Sequence, residues 1–409
     1  VSPAQPTGDP APADGLLPAG AGAEAAARTL SLYVHVPYCT VRCGYCDFNT
    51  YAAEEFSDGV GRLTYADDAV RELRFAAEAM ERSGGLGRPL HTVFFGGGTP
   101  TRLPAEDLAR ILRTGVELFG IEEGAEVTTE ANPDSVTRED LETLREAGFT
   151  RVSFGMQSAV PRVLGVLDRT HTPANVPKVV DWAKELGLQT SVDLICGAPG
   201  ETLQEWETSV RAAIGYAPDH ISAYSLIVEP GTKLAAQIAR GEHVPVDDDT
   251  QADMYQLADE LFAGAGYHWY EISNWSTGPA TRSRHNLAYW RNQDWWGIGP
   301  GAHSHVGGVR WWNLKHPLPY ANRLREGLSP AAAREHLDAQ TRYTEEIMLG
   351  ARIAEGLPVE RLRPAGRAAT DWLLGQGLVE AGALERGLVR LTLRGRLLGD
   401  AVVRELLAD

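Results

Sequence analysis

The chain has 409 residues, of which 43% are hydrophobic, enough for a large core with smaller appended units. Its 38 basic and 55 acidic residues give a formal charge of -17, and no Lys/Arg run interrupts the acidic balance. Duplex binding relies on basic side chains that neutralise phosphates, so nucleic acid is excluded as a default partner. No apolar stretch approaches the length that spans a bilayer.

Residues 1–29 are rich in Ala, Pro and Gly and lack both the basic start and the apolar run of a signal peptide. They offer little side chain to offset the entropy of ordering, which predicts a disordered tail. Six similar apolar runs follow: 30–36, 91–95, 125–130, 150–156, 188–195 and 221–226. Helical patterns at 64–82, 104–118, 137–147, 173–186 and 202–214 lie between them. Strand–helix alternation predicts an α/β fold with a mainly parallel sheet over 30–244, open or curled toward a barrel. Ligands of such folds sit beyond the C-terminal ends of the strands, and that is where the polar and glycine-rich segments fall.

From 245 to 316 the character changes. A helical stretch at 248–264 leads into an aromatic region that holds seven of the ten tryptophans, which predicts an α+β extension. From 317 to 409, helical patterns followed by GLVEAG and GLVRLTLRG predict a small helical, winged-helix-like domain with a hairpin. The acidic charge argues against nucleic-acid binding by that unit.

Three of the four cysteines, Cys39, Cys43 and Cys46, fall within eight residues. That is a poor disulfide framework for so long a chain, and it implies the reducing environment of the cytoplasm. Soft thiolates favour zinc or iron–sulfur chemistry. Structural zinc wants four protein ligands; His35 lies on the strand side of Pro37, and Cys196 is distant in sequence. A four-iron cubane held by three cysteines keeps one iron open for a small ligand.

Further along, Gly96–Gly97–Gly98 ends the second apolar run, and its exposed backbone lets a ligand approach closely or simply makes a tight turn. Thr101 either caps the next element or touches the same ligand. Glu130 can accept from hydroxyl or ammonium groups, or cap backbone donors. Gln157 and Arg169 are ambiguous alone. Asp193 faces opposite to Val192 and Leu194 on an ideal strand and needs paired donors if buried. Met156 reads as core filling.

CTVRCGYC carries the Cys-x3-Cys-x2-Cys spacing and resembles the radical S-adenosylmethionine superfamily. GGGTPT, TEANP, SFGMQS, LDRTH and DLICGAPGET are similar, in the same order, to motifs of its oxygen-independent coproporphyrinogen III oxidase and HemW branch. The resemblance implies a partial (β/α)6 barrel and a [4Fe-4S] cluster on Cys39, Cys43 and Cys46. It also implies S-adenosylmethionine contacts from Tyr33, Tyr45, Gly98, Thr99, Glu130, Gln157, Arg169 and Asp193. The oxidases carry one more cysteine in the loop, where this chain has Phe48, and a long structured N-terminal extension. YHWYEISNW and HNLAYWRNQDWWGIGPGAHS look instead like the HemW heme-chaperone family.

That second resemblance implies heme as a further cofactor, handled by His285, Asn286, Tyr289 and Trp290 of the HNxxYW motif. The bare chemistry equally allows a hydrogen-bonded aromatic core there. His303 is a second candidate ligand and His305 a weaker one. Cys196 reads as a small buried hydrophobe rather than a heme anchor. Implied partners are apo haemoprotein acceptors, including membrane-associated respiratory ones, and a reductant for the cluster; monomer and dimer both stay open. The alternative is a radical enzyme acting on a porphyrinogen or another tetrapyrrole.

Overall fold

A computed structural model describes residues 6–52, 56–84 and 88–408. Six strands form its centre: β1 (Leu30–Val36), β2 (Leu90–Gly97), β3 (Ile121–Ala131), β4 (Arg151–Gln157), β5 (Gln189–Cys196) and β6 (His220–Ser225). Each pairs in parallel with the next, in strict chain order. Right-handed crossovers in one direction put all the connecting helices on one face and leave the other free. The expected elements therefore appear in the expected order, within a few residues of their predicted ends.

Alternation along the strands divides the two faces. Leu32, Val34, Val93, Phe95, Val127, Val152, Phe154, Val192, Leu194 and Ile221 turn outward and are buried in one core with the helices. The helix Tyr65–Arg82 meets them with Ala66, Ala69, Leu73, Ala76 and Met80, one stripe at helical spacing. Leu73 is wholly buried, a contribution of about 1.5–3 kcal/mol against leaving it in water. Helix starts are written locally. Thr137 and Thr202 each form a capping box, with Asp140 and Glu205 respectively.

Two antiparallel strands, β7 (His268–Glu271) and β8 (Asn274–Ser276), extend the sheet beyond β6. At the opposite edge β9 (Asp294–Ile298) lies parallel to β1. It is followed by β10 (His303–Val306), β11 (Val309–Asn313) and β12 (Ala331–His336) in antiparallel order. Among the described residues the sheet does not close by strand pairing. The connection from β8 to β9 carries the helix Arg284–Trp290 from one edge toward the other, against the inner face.

Two expectations need correction. The described part of the tail is ordered: Asp9–Pro10 pairs with β12, Ser329 N–H donates to Ala13 at 2.7 Å, and Ala21 and Ala25 are buried. Composition misled because the exposed edge of β12 supplies backbone partners that alanines and prolines need no side chains to use. Residues 1–5 lie outside the described residues. The boundary expected at 317 falls inside the extended sheet, since β12 pairs with β11; a separate core begins near Ile347 and ends at Leu406. In that unit Leu388–Val389 pairs with Leu357–Pro358, while Val379 and Leu391 make only an isolated bridge. The two apolar runs thus meet antiparallel across the short helix Ala381–Leu384, with Glu380 N–H donating to Arg390 O at 2.9 Å and Thr392 N–H to Leu378 O at 3.1 Å.

Candidate functional site

β1 ends at Val36 because Pro37 has no N–H to extend the ladder. Tyr51 N–H donates to Pro37 O at 2.7 Å and Cys39 N–H to Tyr51 O at 3.0 Å, which pins the two legs of the cysteine loop together. Buried Asn49 ties the loop outward, donating to Pro300 O and Lys315 O at 2.9 Å each. Burial holds the His35 imidazole down to about 4, so it is neutral. Its Nε2–H donates to Asn49 O at 2.9 Å, and Nδ1 accepts from the Tyr33 hydroxyl at 3.0 Å. With both nitrogens engaged, His35 is a brace for the loop and not a fourth metal ligand.

Cys39, Cys43 and Cys46 are half-buried and free. Thr99 Oγ1 lies 3.8 Å from Cys39 Sγ, Arg169 Nη1 3.8 Å from Cys43 Sγ, and Thr50 Oγ1 4.0 Å from Cys46 Sγ. Among the described residues no three His, Cys, Asp or Glu side chains gather around one point as a single ion requires. A cubane instead offers each thiolate its own iron, and this loop fits that demand. Burial pushes the Cys39 thiol up to about 11 and raises Cys46 as well. Metal must displace those protons, assisted by the hydroxyl and guanidinium donors already in place.

The loop opens onto a cavity of about 570 Å³ on the inner face of the sheet. Tyr33, Tyr45, Gly98, Thr99, Glu130, Gln157, Arg169 and Asp193 all line it beside the three cysteines. Gly98 N–H donates to Val36 O at 2.8 Å, and a Cβ on Gly98 would stand 2.8 Å from the carbonyls of Val36 and Tyr38. Only glycine lets the chain ride so closely over the end of β1. Gln157 follows a register slip against β5 and has φ +61°, a bulge that re-aims the end of β4. Arg169 donates to Gly155 O at 2.7 Å and keeps a buried Nε without a partner.

Two carboxyl groups face the same space. Glu130 accepts from Gly97 N–H at 3.2 Å; burial, then Asp193, push it up to about 8. Asp193 accepts from Ser153 Oγ at 3.0 and 2.8 Å and is also raised, chiefly by burial. Such a pair suits the ammonium and ribose hydroxyls of a nucleotide-like ligand better than an anion. A carboxyl raised in the folded state binds a proton that the unfolded chain releases, so its contribution to stability is lost as pH rises from about 4.5 to about 8. Glu130→Gln is expected to flatten that loss in the apoprotein. Thermal unfolding across the same pH series checks it, and an unchanged slope would contradict the assignment.

The floor of the cavity is the HNxxYW helix. Ser283 caps it, and Glu126 on β3 accepts from Arg284 N–H at 3.0 Å and His285 N–H at 3.1 Å. Thr92 Oγ1 donates to Ser31 and so receives His285 Nδ1–H at 2.7 Å, leaving His285 Nε2 to accept from Tyr289 OH at 3.0 Å. The ring stacks on Phe94, with centroids 4.9 Å apart. Burial holds it down to about 3.

His285 lies at the cavity wall, with Thr92 and Tyr289 on its two ring nitrogens. Asn286 and Tyr289 also line the floor. Trp290 does not: it packs with Tyr270, Leu287 and Ile353 and bonds Glu271. His303 stacks on Trp312 in the sheet extension, and His305 is buried beside Asp294 and Trp295, both outside the cavity lining. Thr101 bonds Ser135 at 2.6 Å, and Cys196 is a core residue, as is Met156. Sequence reading missed Ser153, Ser222 and Tyr224, although each occupies an inward position of the strand alternation.

An open parallel sheet with a three-cysteine loop beyond its first strand defines a class, and a family model described as the radical SAM superfamily matches residues 33–213. The chain resembles the Heme chaperone HemW of Mycobacterium tuberculosis (strain H37Rv) at 44% identity over 93% of this chain and 95% of that protein. Its likeness to the Bacillus subtilis Heme chaperone HemW is 33% identity over 93% and 99%. The chain belongs to the HemW heme-chaperone family. Among solved structures, coproporphyrinogen III oxidase (HemN) from Escherichia coli superimposes with a TM-score of 0.76 over 95% of this chain and 91% of that one, at 22% identity, which is a likeness of fold.

Proposed function

We propose that the protein is a heme chaperone that binds heme and transfers it to acceptor haemoproteins. A [4Fe-4S] cluster on Cys39, Cys43 and Cys46 coordinates S-adenosylmethionine beside Tyr33, Tyr45, Gly98, Thr99, Glu130, Gln157, Arg169 and Asp193. Near-full-length similarity to HemW proteins carries this reading. The cluster supplies an open iron and an electron when reduced; the chain's own residues hold the cysteine loop, accept from the ligand's polar groups and shield the cavity. Phe48, where the oxidases have another cysteine, supports a role other than oxidative decarboxylation.

Acceptors on this reading include membrane-associated respiratory haemoproteins, met from the cytoplasm. Among the described residues no helix is long and apolar enough to cross a membrane. The reading is tested by titrating heme into cluster-reconstituted protein and by incubating the reduced protein with S-adenosylmethionine and coproporphyrinogen III. Saturable heme binding without protoporphyrinogen IX is expected. Protoporphyrinogen IX in the absence of heme binding would overturn it.

A further inference from the structure

The cysteine loop is held by a part of the chain that lies far beyond it. Asn49, three residues after Cys46, is buried, and its Nδ2 donates to Pro300 O and Lys315 O at 2.9 Å each. Those carbonyls sit in the turn between β9 and β10 and just after β11, outside the 33–213 span of the superfamily match. Tyr51 adds a second tie, its hydroxyl donating to Lys315 O at 3.1 Å. Glycine at 301 lets the turn come this close: a Cβ there would stand 2.6 Å from Asn49 Nδ2, and φ is +77°.

The turn is itself anchored from behind. Glu72, 1% exposed on the helix Tyr65–Arg82, accepts from Gly299 N–H at 2.7 Å, from Asn313 Nδ2 at 2.7 Å and from the Tyr320 hydroxyl. The same helix sends the Tyr65 hydroxyl to His35 O at 2.6 Å, at the end of β1. Helix, sheet extension and cysteine loop thus meet at one point, and Asn49 is the side chain by which the loop joins it. The next residue is Thr50, also buried, whose Oγ1 lies 4.0 Å from Cys46 Sγ. A donor on a cluster sulfur stabilises an added electron, so it raises the reduction potential.

We propose that Asn49 is a positioning residue for the cluster: it holds Thr50 against Cys46 and lets the sheet extension set the cluster's reduction potential. This rests on the cluster assigned to Cys39, Cys43 and Cys46, and it is independent of heme delivery.

The test is a redox titration of the reconstituted protein with dithionite, read from the electron paramagnetic resonance signal of the reduced cluster. Thr50→Val removes the donor and Asn49→Ala releases it. Each is expected to lower the potential by about 59 mV, which is about tenfold in the ratio of reduced to oxidised cluster for one electron. Tyr51→Phe weakens the same tie and should shift the potential the same way by less. Thr370→Val removes a buried hydroxyl that donates to Arg367 O at 2.7 Å in the C-terminal unit, and should leave the potential unchanged.

A parent-like potential in Thr50→Val or in Asn49→Ala would overturn the proposal. Should Asn49→Ala lose its iron, a parent-like potential in Tyr51→Phe would overturn it instead. An equal shift in Thr370→Val would also overturn it, by tracing the change to a general loosening of the fold. A parent protein that holds no iron and sulfide after reconstitution would defeat the cluster reading itself.

Discussion

Glu126→Ala is expected to destabilise the protein by about 3–5 kcal/mol, the cost of leaving a buried charge without its partner. Arg151 and Glu126 form an ion pair at 3.0 Å, with side chains 2% and 4% exposed. Arg151 also donates to Thr281 O, and its Nε already lacks a partner. Deleting the carboxylate strands this guanidinium and releases the N–H groups of Arg284 and His285 that start the floor helix. Against a typical total of about 5–15 kcal/mol, such a loss is severe. Urea unfolding measures it as a lower midpoint at constant slope. Glu126→Gln keeps an acceptor and should fall between, while a loss below about 1 kcal/mol for the Ala variant would show that the floor is not anchored here.

Cys43→Ser is expected to abolish a stable cluster, with iron and sulfide per chain falling to background after anaerobic reconstitution. Cys43 is the central ligand of the loop, and Arg169 points a donor at its sulfur. Hydroxyl is a poor replacement for a thiolate on iron. Cys196→Ala is the informative partner variant, because Cys196 sits in the outer core and bonds Ser225 at 3.6 Å. It should keep full iron content. Loss of iron in Cys196→Ala with retention in Cys43→Ser would contradict the assigned ligand set. Substituting Arg169 by Leu, by contrast, should weaken cluster retention without abolishing it, about 10–100-fold in affinity, as for other groups that orient metal ligands.

The parallel sheet and its helices were legible because apolar runs and helical stripes recur in a simple alternation, and the capping residues stand where the helices start. The cysteine loop was legible for a different reason: three soft ligands at fixed spacing leave little else for the segment to do. What escaped was set by tertiary partners. The tail is ordered by an edge of β12 some 320 residues away, which composition cannot register. In the HNxxYW motif, Thr92 and Tyr289 stand on the two His285 nitrogens once β2 and the floor helix meet. Trp290, one residue beyond Tyr289, turns to the other side of the helix and into a separate apolar cluster. Inward polar positions such as Ser153, Ser222 and Tyr224 follow the strand period, yet only the curl of the sheet shows that they share one cavity.

The central claim is delivery of heme, and its most direct test is anaerobic transfer from heme-loaded, cluster-reconstituted protein to an apo haemoprotein, read from the absorption spectrum of the separated acceptor. An acceptor with its holo spectrum and a donor depleted in equal amount are expected. Heme that stays on this chain in the presence of a competent acceptor, or that reaches the acceptor no faster than free heme does, would contradict it.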